Sequence, residues 1–144
     1  MSHPTSEFAR ITAFLGTDLG RGRRAEVDFI RELRRGLPAS SFKRATAELD
    51  VSASELSRWL GLNRRTLVRR KTRLSTTESS RLFRLARLYA RASEVLDGRA
   101  AAARWLRRPQ RALGGEIPLA LLDTDAGALA VEQLLGRIED SVVT

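Results

Sequence analysis

The sequence contains no cysteine, and its single histidine is His3. Without cysteine the chain can form neither a disulfide framework nor a cysteine-ligated zinc site, which excludes a zinc finger. One histidine near a terminus also leaves no Ser, His and Asp grouping for nucleophilic catalysis. The sequence therefore predicts no metal, no cofactor, no small-molecule substrate and no enzymatic activity.

Long apolar runs are also missing. No run approaches the roughly 18 residues that a membrane-spanning helix needs, and the first 25 residues lack the basic start and apolar centre of a signal peptide. We therefore expect a cytoplasmic protein without a membrane partner. Apolar residues make up 42 % of the 144 residues and aromatic residues 6 %, which favours one compact unit with a Leu- and Ala-rich core over a disordered chain.

Acidic residues are scarce in the middle of the chain, and basic residues are scarce at its end. Residues 58–91 hold eleven Lys and Arg against one acid, Glu78, whereas residues 116–144 hold one Arg, Arg137, against six acids. This asymmetry indicates two surfaces that meet two different partners, of which the basic surface binds a polyanion. Solvated helix faces in an arginine-rich chain are the plainer interpretation, but that interpretation leaves the acidic end unexplained.

Apolar spacing predicts helices through nearly the whole chain and no alternating β pattern, which places the protein in the all-α class. A weak helix over about Thr5 to Leu15 precedes a glycine-punctuated turn, so we expect residues 1–24 to form a partly helical N-terminal extension. The next helix, Ala25 to Arg35, is predicted to turn one face inward: Val27, Ile30 and Leu33, continued by Leu37.

The stretch SASELSRWLGLNRRTLVRRKTRLS, residues 52–75, predicts two short helices around a tight turn. Ser52 and Glu55 form a capping box for the first helix, which ends at Gly61. Asn63 is a good N-cap for a second helix from Arg64 to about Lys71. A short helix, a turn containing Gly and a second short helix form the arrangement that places one helix in the DNA major groove.

Three residues support this helix-turn-helix interpretation. Ser57 is small enough for two helices to approach, Gly61 frees the turn, and Leu67 anchors the second helix in the core. The outward positions are then Arg64, Arg65 and Arg69, which we expect to face the groove, where arginine can pair with guanine. Asn63 and Thr66 add hydrogen bonding, and the remaining basic residues are expected to contact phosphates: Arg58, Arg70, Lys71 and Arg73. An ordinary helical hairpin with a basic face is the alternative.

Further helices follow. Ser75 and Glu78 form a second capping box that opens a long helix to about Leu96. Residues 99–108 are alanine-rich and helical, Pro118 begins a single turn, and Thr124 caps a last helix with four residues inward: Val131, Leu134, Leu135 and Ile138. Trp59 and Trp105 stand at apolar helix positions and are expected in the core.

Residues 104–140, RWLRRPQRALGGEIPLALLDTDAGALAVEQLLGRIED, resemble the toxin-binding domain of the Xre/MbcA/ParS antitoxin family. The segments GLPASSF and LGLNRRTLVRR, at 36–42 and 61–70, also look like this family, so the resemblance spans roughly residues 36–140. It implies an Xre/Cro-like helix-turn-helix bundle over residues 25–97, followed by a small helical toxin-binding domain over residues 98–144. It also implies an antitoxin that neutralises a RES-domain, NAD-depleting toxin by covering its active-site entrance.

The same resemblance implies a homodimer that binds operator DNA and represses its own operon. The predicted toxin-binding residues lie on the last helix: Glu132, Gly136, Arg137, Glu139 and Asp140. Gly136 is informative because a mid-helix Gly costs about 1 kcal/mol relative to Ala, which suggests close approach of another backbone. That backbone could belong to a neighbouring helix of the same chain or to a partner. The alternative function is a stand-alone helix-turn-helix regulator whose C-terminal region serves dimerisation.

Overall fold

The computed structural model describes residues 7–17 and 24–143. This part of the chain is all-α, as the sequence predicts, and pairing outside helices is limited to the isolated bridges Pro38–Arg73 and Gln110–Glu116. It contains eight α-helices and two 3₁₀ turns, at Arg111–Leu113 and Pro118–Leu121. The helices are α1 Glu7–Leu15, α2 Ala25–Arg35, α3 Ser40–Leu49, α4 Ala53–Trp59, α5 Arg64–Arg69, α6 Thr76–Val95, α7 Arg99–Leu106 and α8 Asp125–Val143.

The helix starts follow the capping residues. Both predicted capping boxes form, with Ser52 accepting from the Glu55 N–H and Ser75 from the Glu78 N–H. The Thr124 hydroxyl accepts from the Gly127 N–H at the start of α8. Each contact satisfies a backbone N–H that the first turn leaves without a helical partner.

One hydrophobic core runs through the described chain, and α6 lies at its centre. Leu82 and Leu85 of α6 are fully buried, and α6 packs against α1, α7 and α8. The helix in the predicted N-terminal extension belongs to this core, because Phe14 of α1 is buried with its ring 4.7 Å from that of Tyr89. Trp59 and Trp105 are partly buried against the same core.

The predicted inner face of α2 is wrong at Val27 and Ile30, whereas Leu33 packs against the core and Leu37 is fully buried. Val27 and Ile30 are 48 % and 46 % exposed, whereas Phe29, on the other side of the helix, is 3 % exposed. The Phe29 ring lies 5.5 Å from that of Phe8 and 5.4 Å from that of Phe83. An aromatic side chain buries more apolar area than Val or Ile, so the orientation that buries Phe29 prevails over the longer aliphatic stripe.

The C-terminal segment shares the core with the helices before it. Leu119, Leu122, Val131 and Leu135 are fully buried, and the turn Pro118–Leu121 packs against α4. On α8 the predicted inward positions Val131, Leu134 and Leu135 are buried, whereas the fourth, Ile138, is half-buried. Across residues 7–17 and 24–143, no helix combines the length and apolar character that crossing a membrane requires.

Candidate functional site

The turn between α4 and α5 is held by a side chain from α6. Nη1 of Arg81 donates hydrogen bonds to the carbonyl oxygens of Leu60 at 2.9 Å and Gly61 at 2.6 Å. Gly61 has a φ of +66°, and a Cβ at this position would lie 2.8 Å from the same Nη1 atom. The left-handed backbone therefore favours Gly at position 61, and a side chain there would also displace the guanidinium group of Arg81.

The turn leaves α5 with one face in the core and another in solvent. Leu67 is buried, and Oδ1 of Asn63 accepts from the Thr66 N–H at 3.0 Å and from the Thr66 hydroxyl at 3.3 Å. Asn63 and Thr66 therefore bind each other at the start of α5. The helix-turn-helix geometry predicted around Gly61 is present, with α5 ending at Arg69 rather than near Lys71.

A group of cations surrounds the solvent face of α5. These side chains are exposed and make no hydrogen bond or ion pair with any residue that the structure describes: Arg58, Arg64, Arg65, Arg69 and Lys71. We call them the α5 cationic face. Because nothing within the described chain neutralises these charges, they are available to an anionic partner.

Two other predicted phosphate contacts have partners inside the molecule. Nε of Arg70 lies 3.1 Å from Oε1 of Glu78, a buried carboxylate that also accepts from the Ser75 N–H at 2.7 Å. Nη1 of Arg73 lies 2.9 Å from Glu32 and 2.7 Å from the Gly36 carbonyl oxygen. The structure thus gives Arg70 and Arg73 a role in joining the end of α5 to α6 and α2.

The arginines of α6 are also engaged within the fold. Arg84 pairs with Asp125, Nη2 of Arg87 lies 2.6 Å from Glu132, and Nη1 of Arg91 lies 2.9 Å from Glu139. Three acids of α8 therefore neutralise three cations of α6. Glu132 and Glu139, two predicted toxin contacts, are half-buried members of these pairs.

Gly136, Arg137 and Asp140 lie on the face of α8 opposite the buried Val131, Leu134 and Leu135. Arg137 and Asp140 are exposed, and a Cβ built at Gly136 would meet no atom within 4 Å. Of the two alternatives for Gly136, close packing against a neighbouring helix of the same chain does not occur in the described residues. We call Leu129, Gln133, Gly136, Arg137 and Asp140 the outer face of α8.

Sequence reasoning missed the glycine of α8 that does pack closely. A Cβ at Gly127 would lie 1.8 Å from the carbonyl oxygen of Leu121, which is far inside contact distance. Gly127 thus lets α8 begin against the turn Pro118–Leu121. Its position one turn after the capping Thr124 was visible in the sequence, but the identity of its neighbour depends on the tertiary fold.

Two family models match successive parts of the chain. The Antitoxin Xre-like helix-turn-helix domain matches residues 28–87, and the Antitoxin Xre/MbcA/ParS C-terminal toxin-binding domain matches residues 91–140. The first therefore contains α4, α5 and most of α6, and the second contains α7 and most of α8.

Curated relatives match over most of their length. An "Antitoxin Xre" of Photorhabdus laumondii is 34 % identical over 116 residues, covering 78 % of each chain. An "Antitoxin Xre" of Yersinia enterocolitica is 29 % identical over 144 residues, covering 97 % of this chain and 96 % of the relative. A "Prs ADP-ribosylating antitoxin" of a Sphingobium strain is 33 % identical over 129 residues, covering 81 % of each.

Proposed function

The chain belongs to the Xre/MbcA/ParS family of antitoxins, and from that membership we propose that it neutralises a RES-domain toxin that consumes NAD and represses its own operon. The family assignment brings a helix-turn-helix domain and a toxin-binding domain. The name of one relative refers to ADP-ribosylation, a reaction for which NAD is the donor. A toxin that consumes NAD is compatible with that name. The antitoxin itself needs no catalytic group for this role.

The α5 cationic face carries the DNA-binding part of the proposal. Its cations have no partner in the described chain, while the arginines of α6 do. Arg64, Arg65 and Arg69 would face the major groove, where each bidentate contact to guanine contributes about 1–3 kcal/mol of discrimination. Arg58 and Lys71 would bind phosphates. A homodimer would present two copies of α5 to a palindromic operator, at a spacing of about one helical turn of DNA.

A binding experiment tests the roles of Arg65 and Arg69. The DNA upstream of the gene is compared with an unrelated fragment of equal length, at one fixed salt concentration. The double variant Arg65→Ala and Arg69→Ala should lose at least tenfold in affinity for the upstream fragment and much less for the unrelated one.

A matched control removes two exposed cations elsewhere, Lys43→Ala on α3 and Arg111→Ala in the first 3₁₀ turn. This control should leave the preference for the upstream fragment intact. Equal losses on both fragments for the Arg65 and Arg69 variant would remove the base-reading assignment.

The outer face of α8 carries the toxin-binding part. No described residue lies close enough to Gly136 to require a glycine there. The neighbouring acids Glu132 and Glu139 form ion pairs with arginines of α6. We therefore expect Gly136, Arg137 and Asp140 to contact the toxin directly, close to its active-site entrance. Glu132 and Glu139 would flank this contact, and their ion pairs with Arg87 and Arg91 would hold α8 against α6.

Co-expression with the product of the adjacent gene tests this assignment, with growth and cellular NAD as readouts. The variant carrying Arg137→Asp and Asp140→Arg exchanges an exposed i,i+3 pair without changing net charge, and it should fail to rescue growth. The matched control exchanges the exposed i,i+3 pair Asp28 and Arg31 on α2, and it should rescue as well as the wild type.

Two outcomes would change the proposal. Rescue by both variants would exclude the outer face of α8 as the toxin contact. A harmless neighbouring gene product, or failure of the wild-type chain to rescue, would favour the stand-alone regulator, and the Arg65 and Arg69 experiment would then carry the functional assignment alone.

A further inference from the structure

Val68 is an apolar side chain in an unfavourable position for folding. It is 75 % exposed, more than the other exposed apolar residues Val27, Ile30 and Leu129, and it lies within the six-residue helix α5. Val is a poorer helix former than Ala because its branched Cβ restricts χ1. The side chain therefore contributes to neither the core nor the helix, which points to a contact outside the chain.

The neighbours of Val68 indicate what that contact is. Arg65 and Arg64 stand three and four residues before it, so these exposed cations border Val68 on the surface of α5, and the exposed Arg69 follows it in the chain. No acid occurs in α5. A partner that suits this surface is strongly anionic but offers a small apolar group among its polar ones.

The major groove of DNA has this chemistry. The C5-methyl group of thymine is the apolar group on the base edges there, and it lies among hydrogen-bond donors and acceptors between two rows of phosphates. Arg65 and Arg69 are separated by about 6 Å along the helix axis, which corresponds to about two base-pair steps. A branched side chain between them would therefore face a base close to those that the arginines contact.

We propose that Val68 reads the methyl group of one thymine in each operator half-site, within about two base pairs of a guanine bound by Arg65 or Arg69. This inference rests on the proposed role of α5 as the DNA-reading helix. It adds a specificity-determining residue that carries no charge. It also predicts a base preference at a position that arginine alone would leave undetermined.

The experiment uses the full chain and compares DNA sites that differ only in a thymine methyl group. Binding sites are first enriched from a random DNA pool with the wild-type protein. In the best site, each thymine is then replaced in turn by deoxyuridine, which lacks only the methyl group and keeps all hydrogen-bonding atoms. At one thymine per half-site the wild type should bind about fourfold more weakly after the replacement, the effect of exposing one methyl-sized group.

The Val68→Ala variant should bind the thymine and deoxyuridine sites equally, and about as weakly as the wild type binds the deoxyuridine site. Ala is favoured in helices and Val68 is exposed, so this variant should fold, and thermal unfolding checks that it does. Val27→Ala on α2 removes another exposed valine and should keep the wild-type discrimination.

The outcomes separate the inference from the function on which it rests. If the wild type enriches a site but binds it equally with thymine and deoxyuridine at every position, Val68 does not read a methyl group. The inference also fails if Val68→Ala discriminates as well as the wild type. If the wild type enriches no site, the DNA-reading role of α5 fails together with the inference.

Discussion

Replacing Gly136 by Ala should raise the stability of the free protein and weaken its binding to the toxin. The added methyl group would meet no atom of the described chain within 4 Å, so it introduces no clash. A Gly in the interior of a helix costs about 1 kcal/mol relative to Ala. The variant should therefore gain about 1 kcal/mol in the free energy of unfolding, which corresponds to a rise of about 4 °C in Tm for a chain of this size.

The effect on the complex has the opposite sign if a toxin backbone approaches Gly136. Inserting a methyl group into a packed contact typically costs about 1–3 kcal/mol, which would weaken the Kd about 5- to 150-fold. Thermal unfolding of the free variant and competition between labelled wild type and variant for the toxin measure the two effects separately. A variant that is poorer in both respects would contradict the geometry of α8.

Gly127→Ala is the matched control in the same helix. Its Cβ would lie 1.8 Å from the Leu121 carbonyl oxygen, and a backbone atom cannot move aside at little cost. This variant should lose about 1–3 kcal/mol in the free energy of unfolding. If Gly136→Ala is stabilised but binds the toxin as tightly as the wild type, no toxin backbone lies close to Gly136, and the assignment of that glycine is refuted.

Three further variants test the structural roles of other residues. Arg73→Ala leaves the half-buried Glu32 without its closest partner, so denaturant unfolding should show a loss of about 1–3 kcal/mol; unchanged stability with weaker DNA binding would instead restore Arg73 as a phosphate contact. Burial, and next the hydrogen bond to Glu48, raise the pKa of Tyr89 above its ordinary value. The contribution of Tyr89 to the free energy of unfolding should therefore be constant below about pH 10 and decrease above it. The Tyr89→Phe variant should show a smaller decrease in stability above that pH. Deleting residues 116–144 removes four fully buried side chains from the shared core, and each contributes about 1.5–3 kcal/mol. Circular dichroism should therefore show an unfolded chain. A truncated chain that folds and binds DNA would contradict the single core.

Local chemistry is the part of the fold that the sequence predicts well. The capping boxes at Ser52 and Ser75 form because both partners lie within four residues of each other. The turn at Gly61 is equally local, because the backbone there adopts the left-handed conformation that glycine favours. The all-α class, the helix boundaries and the exposed arginines of α5 follow from such signals.

Contacts between distant segments are the part of the fold that the sequence does not predict. Val27 and Phe29 lie on different faces of one helix, and only the rings of Phe8 and Phe83 decide which face is buried. Likewise, the pairing of Arg73 with Glu32 joins residues 41 positions apart. A phosphate contact and an internal ion pair require the same side chain, so residue type alone could not distinguish them.

The charge asymmetry of the sequence has a different meaning in the folded chain. Asp125, Glu132 and Glu139 of α8 pair with arginines of α6, so α8 carries less free negative charge than its composition indicates. The surfaces that we propose for partners are the α5 cationic face and the nearly neutral surface around Gly136. Salt should therefore weaken DNA binding strongly, because it depends on free cations, and should weaken toxin binding through the outer face of α8 much less.

The two faces are nevertheless joined by one set of contacts. Arg81 of α6 fixes the turn before α5, and three residues later Arg84 donates to the Leu122 carbonyl oxygen at 2.8 Å and pairs with Asp125 at the start of α8. A toxin that shifts the start of α8 would thus act on the helix that positions α5. Substitutions at Arg84 should alter both DNA binding and toxin binding, whereas substitutions on the α5 cationic face or the outer face of α8 should alter one, because Arg84 lies in the contacts that connect them and the two faces do not.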